Sequence, residues 1–128
     1  MTLNAKITAI RVSPCKKFLI IALKSQLSIY EIRKGSTLVL LKNFHDLKIG
    51  TIVQLTTYEA PGPRVCFIDE KGVSGVISLE IGLILTKVKI EEVRHSLSRV
   101  DSFDVVRVNP QCVLMAIGGG REFQLTKI

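Results

Sequence analysis

The chain has 128 residues, of which 47% are hydrophobic and 23% charged, with a formal charge of +7 and a pI near 9.6. That length and balance suit one modest core and exclude extensive disorder; the charge favours acidic proteins, nucleic acid or an anionic surface as contacts without dictating a fold. With five Phe, two Tyr and no Trp, the core must be filled mostly by Ile, Leu and Val, and few rings are available to stack on bases.

Met1 to Lys6 lack the apolar segment and cleavage pattern of a secretory signal. From Ile7 to Ile32 the sequence ITAIRVSPCKKFLIIALKSQLSIYEI reads as three short strands joined by tight turns. Ile7, Ile10 and Val12 lead into Ser13-Pro14, where proline lacks a ladder donor; two lysines precede the apolar run Phe18 to Leu23; Leu27, Ile29 and Ile32 then alternate. Arg33-Lys34-Gly35 is a turn before a fourth strand over Thr37 to Leu41, and Asn43 to Asp46 is a polar loop.

The middle of the chain repeats this order more loosely. Thr51 to Leu55 and Arg64 to Ile68 are its first two strands, separated by a Pro61-Gly62-Pro63 insertion or turn; Asp69-Glu70-Lys71-Gly72 is a turn signal before Val76 to Leu79. Gly82 to Lys89 is again apolar with interleaved lysines, and Lys89 to Leu97 offers a short helix only an irregular apolar stripe. No apolar stretch approaches the length of a membrane-spanning helix.

The carboxyl end repeats the opening closely. Setting Pro110 on Pro14, an offset of 96, places Val105 to Asn109 on Ala9 to Ser13 and matches the next eighteen residues without a gap, Leu114 falling on Phe18, Phe123 on Leu27 and Leu125 on Ile29. Three copies result, over about 5-42, 49-90 and 101-128, at intervals of about 48 residues where four-stranded propeller blades take ~40–45.

Ile7 to Glu31 resembles a blade of the WD-repeat β-propeller family: a strand ending in Ser-Pro, a lysine-rich turn, an apolar strand with the small Ala22, and a strand ending in Tyr30-Glu31 where the family has Trp-Asp. His45 resembles the family's loop histidine. The departures are that Phe44 rather than Gly precedes His45, that no Trp is present, and that Lys24 stands near the family's turn Asp, a place Asp69 takes in the middle copy and Gly118-Gly119-Gly120 in the last. The resemblance implies an all-β fold of WD-repeat-like β-propeller blades in a partial or open arc, since three blades do not close a usual ring. Three readings stay open: part of a longer propeller, a chain that completes a ring with another subunit, or a β domain unrelated to propellers.

Catalysis is not expected. His45 and His95 lie in no nucleophile context; Asp69, Glu70, Asp101 and Asp104 have nothing that places two in one cleft; and Gly118 to Gly120 beside Arg121 lacks the Lys-Ser/Thr ending of a phosphate loop. Cys15, Cys66 and Cys112 have neither ligand nor redox spacing, so three free thiols in a reducing compartment are expected, with no metal and no cofactor. The expectation is a noncatalytic scaffold or protein–protein interaction module in the cytoplasm, with the nucleus as the alternative location. Its partners are a protein, acidic in character, or missing propeller blades. The other reading is a small basic β domain that binds RNA or another polyanion. Lys16, Lys17, Arg33, Lys34, Lys87, Lys89 and Arg121 are the candidate interaction residues.

Overall fold

Alternating apolar residues between turn-forming breaks give eleven strands among the described residues of a computed structural model. It describes residues 3, 5–45, 47–59, 62–80, 83–92 and 102–127, with backbone alone at 80 and 83–92. The first sheet holds β1 (Ala9–Val12), β2 (Phe18–Leu23), β3 (Gln26–Arg33) and β4 (Thr37–Phe44). The second holds β5 (Ile52–Glu59), β6 (Pro63–Asp69), β7 (Val73–Glu80) and β8 (Leu83–Glu92), and the third β9 (Ser102–Asn109), β10 (Cys112–Gly119) and β11 (Glu122–Lys127). Each is an antiparallel meander in which chain neighbours pair. The protein is thus all-β, with several small antiparallel sheets.

Local chemistry accounts for the breaks. Pro63, expected in a turn, opens β6, a position where a missing N–H costs no interior ladder bond. Gly35 and Ser36, both at positive φ, turn the chain from β3 into β4. The helix considered over Lys89 to Leu97 is a strand as far as Glu92, and residues 93–97 lie outside the described residues.

The sheets stack through two apolar layers. Phe18, Ile20, Leu27 and Ile29 of the first sheet pack on Ile52, Leu55, Val65 and Phe67 of the second, whose other face brings Cys66 and Ile68 against Phe103, Val105, Met115 and Ile117 of the third. The second sheet is therefore covered on both faces, which explains why β6 is apolar nearly throughout rather than alternating. β1 packs beside β5 and β5 beside β9, so the sheets meet most closely along their first strands.

The offset of 96 reappears in the pairing, with one fault. All six β2–β3 pairs, from Phe18↔Glu31 to Leu23↔Gln26, recur as the six β10–β11 pairs from Leu114↔Lys127 to Gly119↔Glu122. The gap-free correspondence fails at the proline turns. Residues 13–17 connect β1 to β2, whereas Asn109 pairs with Cys112 across only Pro110-Gln111, with Asn109 Oδ1 accepting from Gln111 N at 2.9 Å. Arg11 pairs with Ile20, but Arg107 pairs with Val113 rather than Ala116, a slip of three residues. An odd slip turns a strand over. Its result is that Arg11 and Arg107, on opposite sides of β5, both donate into that strand, to the carbonyls of Leu55 at 3.0 Å and Glu59 at 3.5 Å.

Candidate interaction surface

The lysine-rich turn between β1 and β2 is built on a buried serine. Ser13 Oγ accepts from Phe18 N at 3.1 Å, Ser13 N donates to the Phe18 carbonyl at 2.9 Å, and Lys16 N donates to the Ser13 carbonyl at 2.9 Å. Cys15 Sγ lies 3.2 Å from the same hydroxyl. With its polar groups satisfied internally, the turn places Lys16 at φ 61° and leaves Lys16 and Lys17 exposed.

The turn between β3 and β4 stands beside it. Ile32 N donates to the Lys17 carbonyl at 2.8 Å, which ties the two together, and Arg33 and Lys34 are exposed. Arg33 Nε donates to Glu31 Oε1 at 2.6 Å, an exposed pair that leaves the guanidinium largely open to solvent. Four cations thus stand at one end of the first sheet, with Glu31 as the neighbouring carboxylate.

The remaining candidates do not join this cluster. Arg11 reaches Leu55 and Thr57 reaches Val12, while Phe103 N donates to Gln54 Oε1 and Arg107 reaches Glu59; the residue numbers rise together, so β1, β5 and β9 run in the same direction. The β10–β11 turn, with Arg121, is therefore at the opposite end from Lys16 and Lys17. Lys87 and Lys89 lie in β8, and their side chains are outside the described residues.

Two of the carboxylates considered for catalysis, Asp69 and Asp104, hold hydrogen-bond donors from other segments. Asp69 is fully buried; its Oδ1 accepts from Lys71 N at 2.9 Å and Val73 N at 2.7 Å, and its Oδ2 from Gly50 N at 2.8 Å, pinning the β6–β7 turn to the segment that enters β5. Asp104 Oδ1 accepts from Val105 N and Thr56 Oγ1, joining the third sheet to the second. Asp101 and His95 lie outside the described residues, and His45 is exposed. Among the described residues no three of His, Cys, Asp and Glu come together as metal ligands, and no helix is long and apolar enough to cross a membrane.

The three cysteines are free thiols. Cys66 is fully buried with Ser74 Oγ 3.4 Å from its sulfur, and burial pushes its pKa up to about 12 against a small opposing effect of that hydrogen bond. Such a thiol is a packing residue and a poor nucleophile. Sequence reasoning treated Cys66 and Asp69 as local features; neither the thiol's place between two sheets nor the reach of Asp69 to Gly50 shows in residue spacing.

No family model and no curated protein matches the chain.

Proposed function

We propose that the chain is a noncatalytic interaction module built of propeller-like blades in the cytoplasm, and that its two linked basic turns receive an acidic protein segment. The observation that supports this most is the fixed backbone beneath Lys16 and Lys17: Ser13 and the Ile32–Lys17 hydrogen bond hold the turns in place, so little ordering is required on binding. Lys16, Lys17, Arg33 and Lys34 are solvent-facing, so their charge steers encounter and specificity more than it supports the fold.

The test is binding of a Glu-rich peptide to the wild-type chain and to the Lys16→Glu/Lys17→Glu variant. Affinity should fall at least ~10-fold with unchanged circular dichroism, as expected when a cationic contact is replaced by a repulsive one. The same chains titrated with unrelated RNA and duplex DNA across salt decide the polyanion reading. Tight nucleic-acid binding at physiological salt, lost on charge reversal and exceeding peptide binding, would sink the protein-partner proposal.

A further inference from the structure

The pairing repeat identifies the two uncovered sheet faces as halves of contacts already present within the chain. Because β2–β3 and β10–β11 share one register at an offset of 96, Leu114, Phe123 and Leu125 occupy in the third sheet the positions that Phe18, Leu27 and Ile29 occupy in the first. Phe18, Leu27 and Ile29 are buried against the second sheet. Phe123 and Leu125, by contrast, are 78% and 63% exposed. The correspondence runs the other way at the opposite end. Met115 and Ile117, fully buried against the second sheet, are the counterparts of Leu19 and Ile21, which lie on the outward face of the first sheet opposite the exposed Val12 and Ile10; Leu19 is half-buried and Ile21 is 4% exposed there.

Of the nine large exposed hydrophobic residues among those described, all but Ile7 and Val53 fall on these two faces. The first-sheet face presents no charged residue from β1, β2 or β3, so covering it strips no ion of water. The third-sheet face does carry charge, Asp104 beside Ala116 and Lys127 beside Leu114, and Asp104 already accepts from Val105 N and Thr56 Oγ1; Phe123 stands opposite Gly118, and with Ser102, Asp104 and Ala116 they bound an open hollow of about 400 Å³.

We propose that two copies of this chain associate head to tail, the third-sheet face of each covering the first-sheet face of the other. A second copy is the occupant because one chain carries both complementary faces, and each face repeats a surface that the chain already uses against its own second sheet. The contact is heterologous, and a heterologous contact either closes or propagates. The sheets of one chain meet along β1, β5 and β9, and in the proposed dimer both reciprocal contacts form, which makes the pair a ring of six sheets. This rests on the reading of the chain as an arc of blades and extends it to a partner; it does not involve the basic turns.

Sedimentation of the wild-type chain across a range of concentrations should show a monomer–dimer equilibrium that tightens with added salt, because salt screens the +7 charge on each copy. Val12→Glu damages only the first-sheet face and Leu125→Glu only the third-sheet face, both at exposed positions, with circular dichroism checking the fold. Each variant alone should be monomeric. Their equimolar mixture should recover a dimer through the one pair of intact faces, third-sheet from the Val12→Glu chain and first-sheet from the Leu125→Glu chain. A wild-type monomer at all concentrations, assemblies larger than the dimer, a dimer insensitive to Val12→Glu, or a mixture that stays monomeric would overturn the proposal. Glu-rich peptide binding by the Leu125→Glu chain reads the basic turns separately, so failure of either idea is told from failure of the other.

Discussion

The ring of Phe67 occupies the space above Gly75, its partner on the next strand, so closely that a Cβ at Gly75 would lie 2.1 Å from Cζ. Gly75 is needed for that vacancy. Gly75→Ala should destabilise the fold by about 1–3 kcal/mol through overpacking. Phe67→Ala should cost about 3–5 kcal/mol through the cavity it leaves. Combining the two should cost less than their sum, because the alanine methyl would enter the space the ring vacated; urea denaturation of all three variants checks this.

Asp69→Ala removes the acceptor for three backbone N–H groups, those of Gly50, Lys71 and Val73. With one or more buried donors left unmade, the loss should be about 2–4 kcal/mol, measured by chemical denaturation. Hydrogen exchange should accelerate at Gly50 and Val73 together, although they belong to different segments.

Lys24 holds φ 59° in the β2–β3 turn while its carbonyl accepts from Ile52 N at 2.7 Å. A left-handed backbone costs an ordinary side chain and suits glycine. Lys24→Gly should therefore stabilise the chain by about 0.5–1 kcal/mol, raising Tm.

Alkaline pH should unfold the protein through its buried acids. Burial holds Cys66 at about 12 against an ordinary 9.0, and holds Tyr58 at about 12 against 10.0 with the nearby Cys66 adding to the effect and Arg64 opposing it. Both pKa values are raised on folding, so their contribution is fully present below pH 9 and is lost as pH rises toward 12. Denaturation midpoints should fall over that window, and Cys66→Ala should reduce the pH slope. At neutral pH a thiol reagent should modify the half-buried Cys15 and Cys112 well before Cys66.

Strand positions were legible wherever turn residues bounded a short apolar run: Phe18 to Leu23 is β2 to the residue, because a lysine turn and a polar break confine it. The six-pair correspondence between β2–β3 and β10–β11 was legible for the same reason, since both hairpins have tight turns and identical spacing. Apolar alternation between turn residues marked an all-β chain, and composition a core mostly of aliphatic residues, into which Phe18, Phe44, Phe67 and Phe103 also pack. The tertiary structure decided what spacing leaves free. Hydrogen bonding at Asn109 shortened the Pro110 turn and turned β9 over, so that Arg107 points at β5 instead of away from it. Parallel alignment of the sheets set Arg121 at the opposite end from Lys16 and Lys17, which a list of cations along a sequence does not separate. Burial of Asp69 against Gly50 likewise joins residues that are distant in the chain, because a carboxylate's value to a fold depends on which donors arrive around it from other segments.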